Sequence, residues 1–306
     1  MNSLPGERKL SSALLLILGA FLLAFQDSIV KLMSDQTTLW QFQGLRGAFN
    51  FFLLLVFLAL FRKFSFILPK NYFAVYLRAF FLTLTMICFF SGAPYLTITQ
   101  MAAGLYTYPL FTVILASLIL KEKITFTKIF ALVLGFIGAL LILTPWESNI
   151  SIFQLIPIFG GFFYACNILT IRNLCKNETP YAMAAGVAIT FMIFCSFMLL
   201  LTDQVDFSEG TRSLNPYLMN GWTTLTITLI LTIFMVSLFN VSGNLFITKA
   251  YQTSESSWLA PIDYIYFLFA AFWSKILFDK LPTGLGIIGI TLIVSAGIMI
   301  GTQRNK

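Results

Sequence analysis

Four charged side chains sit inside otherwise apolar runs of this chain: Asp27, Arg46, Arg78 and Asp263. The chemistry they offer is binding. A guanidinium presents a planar fork of donors that matches a carboxylate or phosphate, and a carboxylate can hold an ammonium or take up a proton. Bond-breaking chemistry has little to work with. His is absent, which removes the commonest general base and metal ligand. No DDxxD carboxylate cluster and no Walker A sequence occurs, so neither an enzyme nor ATP drive within the chain is expected. Cys88, Cys166, Cys175 and Cys195 form no CxxC pair and read as small apolar packers. Gly284-Leu-Gly286-Ile-Ile-Gly289 matches the dinucleotide fingerprint, but it opens an apolar run and follows no strand. Those glycines read as close helix packing. No cofactor and no metal is expected.

Uncharged polar residues extend the candidate set. Gln26-x4-Lys31 resembles Asn167-x4-Arg172, so Gln26 and Asn167 occupy corresponding places and could hydrogen-bond a ligand or each other. Asn240 and Asn244 stand one helical turn apart. Tyr106, Tyr108, Tyr264 and Tyr266 fall at middle depth in their apolar runs, and Trp258 falls nearer an end. A tyrosine hydroxyl in lipid needs a partner, and the ring could stack on an aromatic or cationic substrate. Packing alone is the other reading of these rings.

The elements that must carry these residues follow from composition. Of 306 residues, only 10% are charged and 58% are hydrophobic, against roughly 25% charged in a soluble domain. Mean hydropathy is +0.89. A soluble fold of this size cannot hide that much apolar surface, so the solvent for most of the chain is lipid. A membrane-crossing helix needs about 20 apolar residues. The sequence predicts ten, at 11–33, 39–61, 72–94, 97–120, 126–145, 152–174, 181–202, 222–249, 255–277 and 283–302. The first is too long for a signal-peptide core and reads as an uncleaved helix. Pro109 and Pro261 should bend the fourth and ninth helices. Trp40, Trp146, Trp222 and Trp273 read as interfacial anchors, and Lys31 as a snorkelling side chain.

Lys and Arg placement sets orientation. With both termini in the cytoplasm, thirteen of the 19 Lys and Arg residues fall on the cytoplasmic side, as the positive-inside rule requires. The net charge of +7 then reads as a topology signal rather than a nucleic-acid surface. On this placement Asp27 and Arg46 lie roughly 9–11 Å from the outer helix ends, and Arg78 and Asp263 roughly 9–12 Å from the inner ends. Two readings stand for these depth-matched charges: ion pairs that hold helices in register, or charges that face a cavity.

The chain repeats itself weakly at half its length. Tyr108 aligns with Tyr264 and Phe111 with Phe267 at one offset, and Glu122-Lys123 with Asp279-Lys280 one residue later. Each half, 1–148 and 149–306, holds five predicted helices. An odd number forces the second half into the membrane upside down, and inverted repeats with a midplane site between them are a transporter design.

These motifs resemble the EamA family of the drug/metabolite transporter superfamily. Asp27-x3-Lys31 is similar to the end of that family's first helix and Gln43-x2-Arg46 to the start of its second. Pro109 through Leu120-Lys121-Glu122-Lys123 resembles its proline helix and Gly-Glu turn, with Lys121 where Gly is usual. Ala260-Pro261-Ile262-Asp263-Tyr264 and Phe278-Asp279-Lys280-Leu281-Pro282 resemble the branch that contains S-adenosylmethionine uptake transporters, with Asp279 replacing the usual Glu. The resemblance implies an all-α polytopic membrane protein of ten transmembrane helices in two inverted five-helix repeats.

The expected function is a secondary transporter that moves a small polar metabolite across a bacterial inner membrane by alternating access. An amino acid or a derivative such as S-adenosylmethionine is the expected substrate, with a coupling proton or counter-metabolite. The expected setting is the lipid bilayer without nucleic acid, as monomer or homodimer. An accessory or sensing membrane protein and a drug efflux pump are the alternatives. The substrate-binding candidates are Gln26, Asp27, Arg46, Arg78, Asn167, Asp263, Tyr106, Tyr108, Tyr264, Tyr266 and Trp258.

Overall fold

The structure, a computed structural model, describes residues 5–61, 64–121, 125–144, 152–205, 212, 215–253, 259 and 262–302. Trp258, Pro261, Trp146, Asn149 and the Glu122-Lys123 pair lie outside the described residues. The described elements are helical: α1 (Pro5–Leu32), α2 (Leu39–Leu60), α3 (Tyr72–Ser91), α4 (Ile98–Leu105), α5 (Tyr108–Leu120), α6 (Phe126–Leu143), α7 (Ile152–Leu174), α8 (Pro180–Gln204), a short α9 (Pro216–Met219), α10 (Ile227–Thr253), α11 (Ile265–Phe278) and α12 (Gly284–Thr302), plus a 3₁₀ turn at Phe64–Ile67. Among the described residues, seven spans are long and apolar enough to cross a membrane, and three shorter apolar helices accompany them. The protein is an all-α polytopic membrane protein.

Local sequence sets the helix ends. Thr38, Asn71 and Thr179 each accept a backbone N–H with the side chain at the start of α2, α3 and α8, which satisfies a donor the first turn leaves free. Thr97 and Gln100 close a reciprocal capping box at α4. The fourth predicted helix is not merely bent. It breaks into α4 and α5 at Tyr106 and Thr107, because Pro109 has no N–H to give to the preceding turn. α11 starts just after Tyr264, at the corresponding place in the second half. α5 and α11 also end alike, on left-handed residues Lys121 (φ 54°) and Asp279 (φ 52°). Lys275, hydrogen-bonded to Asp279, holds the exposed Asp279 carboxyl below its ordinary pKa.

The helix pairings carry their own symmetry. The heaviest are α6 with α12, α1 with α10, α3 with α7, and α2 with α8. α1 with α11 matches α5 with α7, and α3 with α8 matches α2 with α10. These eight pairings map onto one another when α1 to α6 are exchanged for α7, α8 and α10 to α12; the weaker contacts of α4 and α5 with α6 have no such counterpart. Small residues set the closest approaches. A methyl group added at Gly138 of α6 would lie 2.7 Å from the Gly289 carbonyl of α12, and one at Gly19 of α1 2.9 Å from the Gly243 carbonyl of α10. The Gly284–Gly289 motif is therefore a packing surface at Gly289. Gly297 faces inward as well, where any added carbon would fall on the Tyr264 ring. The central core joins α1, α2, α4, α8, α10 and α11 residues, while Leu118, Phe126, Ile193 and Leu268 leave apolar surface on the outside.

Two expectations about boundary residues are corrected, and the half-buried Trp273 gains ring partners. Trp40 is buried and donates its ring N–H to the Leu218 carbonyl at 2.8 Å, so it ties α2 to α9. Trp273 packs on Phe21 and Phe25 of α1, with ring centroids 5.2 and 4.5 Å apart. Lys31 does not reach away from the protein: its ammonium donates to the Ala93 carbonyl and lies 5.3 Å from the Phe278 ring centre.

Candidate functional site

The candidate residues gather in two polar layers inside the bundle. The first lies toward the end that holds the α1–α2 turn. Tyr266 of α11 donates its hydroxyl to Asp27 Oδ2 of α1 at 2.6 Å. Gln26 donates its amide to the other carboxylate oxygen and accepts from Arg46 Nη1 of α2 at 3.3 Å. Asp27 and Arg46 are thus joined through an amide rather than by a direct ion pair. The Arg46 guanidinium lies 5.1 and 5.9 Å from the Phe90 and Phe191 ring centres, a cation–π arrangement worth about 0.5–2 kcal/mol. That offsets part of the insertion cost of a charge in lipid, about 2.5–3.5 kcal/mol.

The second layer lies toward the α2–α3 end. Arg78 of α3 donates from Nη1 to the Met183 carbonyl of α8 at 3.0 Å, and its buried Nε has no hydrogen-bond partner. Tyr164 of α7 feels the charges of both Arg78 and Asp263 and meets Tyr108 edge-on, with ring centroids 4.8 Å apart. Asp263 also lies within electrostatic reach of Tyr106, Tyr108, Tyr251 and Tyr264. Between described residues, the ion pair closed within 4.0 Å is Lys275–Asp279, so Arg78 and Asp263 form no direct pair. The ion-pair reading of the four intramembrane charges is corrected accordingly.

Tyr106 links the layers. It sits at the α4–α5 break, stacked on Tyr266 at 5.8 Å with 29° between ring planes, and 5.5 Å from Tyr264. The break explains why it can point inward: a continuous helix would carry residues 106 and 108 on different faces, whereas their ring centroids are 6.0 Å apart. Gln26 and Asn167 do not meet. Asn167 is buried, and its Oδ1 has no partner. Asn240 accepts from Asn50 of α2 at 3.3 Å, while Asn244 turns back to its own helix.

Burial distinguishes most of the two layers, Tyr264 at 8% exposed being the exception in the second. Gln26, Asp27, Arg46 and Tyr266 are at most 8% exposed, whereas Arg78, Tyr106, Tyr108, Tyr164 and Asp263 are only half-buried. Three residues enter the site without having been foreseen. Tyr164 carries the same mid-helix signal as the other tyrosines. Gln43 stands one turn from Arg46, and that spacing alone could have flagged it. Tyr217 comes from α9, in a connection where no periodicity pointed to it.

The fold and these interior polar residues define a polytopic membrane protein whose buried polar groups converge between its helices. Residues 10–144 match the EamA-like transporter family. A riboflavin transporter of Vibrio cholerae is 28% identical over 209 residues, which is 68% of this chain and 64% of that protein. The pseudopaline exporter CntI of Pseudomonas aeruginosa is 24% identical, with 96% of this chain and 97% of that one covered. An S-adenosylmethionine uptake transporter of Rickettsia prowazekii is 23% identical over 75% of this chain and 72% of its own length. A solved crystal structure shares the fold with a TM-score of 0.64 at 12% identity, covering 97% of this chain and 99% of that one.

Proposed function

We propose that the protein is a secondary transporter of a small polar metabolite in a bacterial inner membrane, with both termini in the cytoplasm. It works by alternating access between residues 1–148 and 149–306. The observation that carries this reading is the contrast between the layers: one is closed by hydrogen bonds between α1, α2 and α11, while Arg78, Tyr106, Tyr108, Tyr164 and Asp263 in the other are only partly buried. A transporter caught with one gate shut has that asymmetry, and the symmetric helix pairings supply a second packing of similar energy with the gates exchanged.

The substrate reading is an amino acid or a derivative such as S-adenosylmethionine. Arg46 and Arg78 suit a carboxylate, Asp27 and Asp263 suit an ammonium or a coupling proton, and Gln26 and Asn167 supply neutral hydrogen bonds. Tyr106, Tyr108, Tyr264 and Tyr266, with Trp258, suit a flat or cationic group. The rings also favour a second reading, a planar compound such as riboflavin, the substrate in the name of the Vibrio cholerae relative. Uptake by proteoliposomes of labelled amino acids, S-adenosylmethionine and riboflavin separates the two. Folded protein that moves none of these in either direction overturns the transport reading.

A further inference from the structure

We propose that Gln43, Arg46 and Tyr217 form an oxyanion station at the α1–α2 end of the path, which takes the carboxylate or phosphate end of the transported molecule; this rests on the transport reading. Gln43 is fully buried, yet neither its amide nitrogen nor its amide oxygen has a hydrogen-bond partner. Tyr217 is 4% exposed, and its hydroxyl is likewise unpartnered. Both flank one cation. Gln43 and Arg46 stand three residues apart on α2 and share a face, and Tyr217 lies on α9, which Trp40 of α2 ties down through the Leu218 carbonyl, in the same core cluster as Phe191.

Buried polar groups are nearly always paired, so two orphans beside one guanidinium call for a cause. Among the described residues, the Gln43 amide N–H and the Tyr217 O–H have no acceptor, and Arg46 gives its hydrogen bond only to the neutral Gln26 oxygen. Asp27 does not supply a charged acceptor, because Gln26 stands between it and Arg46. The Phe90 and Phe191 rings flank the guanidinium. Arg46 spends one Nη1 donor on the neutral Gln26 oxygen, and a guanidinium binds an oxyanion as a charge-assisted fork, about twice as strongly as a neutral acceptor. The station is therefore selective for anionic ends, and it fills when the α1–α2 end opens and binding draws the population toward that state.

The test is thermal unfolding of the purified full chain in detergent. Sodium acetate and inorganic phosphate are the probes, chloride at matched ionic strength is the baseline, and acetamide is the neutral control. The expected result is a saturable rise of a few degrees with acetate or phosphate and none with acetamide. Gln43→Leu and Tyr217→Phe should each weaken the apparent affinity about threefold to tenfold. Without oxyanion they should unfold at or above the wild-type temperature, since each removes an unpartnered buried atom. Gln43→Glu, which sets a fixed negative charge beside Arg46, should abolish the response. An unchanged response in all three variants, or none in the wild type, overturns the station. Uptake that persists without any oxyanion response overturns the station alone; an oxyanion response in a protein that transports nothing overturns the transport reading instead.

Discussion

Tyr266 donates its hydroxyl to Asp27 across 239 residues of sequence, at 2.6 Å. The bond ties the first helix of one half to the fourth segment of the other. Because Gln26 engages the second carboxylate oxygen and also Arg46, one carboxylate ties α11 to α1 directly and α2 through the amide. On the proposed alternating-access mechanism, opening the α1–α2 end requires these bonds to break.

Tyr266→Phe removes the hydroxyl and leaves the carboxylate short of a donor. The expected cost is about 1–3 kcal/mol of stability, read as a lower unfolding temperature, with uptake falling about tenfold. Combining it with Asp27→Asn should cost less than the two single changes together, because neither partner then has a bond to lose. Additive losses would show that the two residues act separately.

Arg78 and Asp263 make a contrasting pair. Their depths match in the sequence, but Arg78 gives its hydrogen bond to the Met183 carbonyl. Arg78→Gln and Asp263→Asn should each reduce uptake, and the double variant should recover neither uptake nor membrane yield. Recovery in the double variant, measured by uptake per mole of purified protein, would restore the direct ion pair.

Much of this was legible in the sequence, for physical reasons. Apolar runs in lipid must be helical, since no water remains to satisfy the backbone, so α7 falls on the predicted residues 152–174. The interior charges also declared themselves, because charge in lipid needs a reason. Partners were not legible. Depth along a helix does not fix the direction around it, so Asp27 and Arg46 matched in depth while Gln26 came between them. Nor did depth show that Lys31 turns inward to the Ala93 carbonyl. Tyr217 arrives from a connection whose path no pattern dictates, and the α4–α5 break turned an expected bend into the feature that aims Tyr106 inward.

The Gly138–Gly289 contact yields a packing prediction. A methyl group at Gly289 would lie 2.5 Å from the Gly138 carbonyl and 2.7 Å from the Ile142 side chain. Backbone cannot yield as a long side chain can, so α6 and α12 must move apart. Gly289→Ala should cost about 1–3 kcal/mol, the usual size of overpacking. A detergent unfolding temperature equal to wild type would show that this helix pair has slack.

The last prediction concerns two of the three left-handed helix ends among the described residues, Thr144 after α6 being the third. Lys121 at φ 54° closes α5, and Asp279 at φ 52° closes α11. A side chain with a Cβ pays roughly 1–2 kcal/mol in this conformation, and Asp visits it more readily than Lys does. Asp279 also accepts a hydrogen bond from Lys275. Glycine relieves the strain but loses more freedom on folding, about 0.5–1 kcal/mol. Lys121→Gly should therefore stabilise the protein by about 0.5–1 kcal/mol net, seen as a higher unfolding temperature with uptake unchanged, whereas Asp279→Gly should give less or nothing. Lys121→Val, whose branched side chain suits this conformation least, should lower the unfolding temperature. If Val and Gly behave alike at 121, the backbone there is free to leave the left-handed region, and the cap is not what terminates α5.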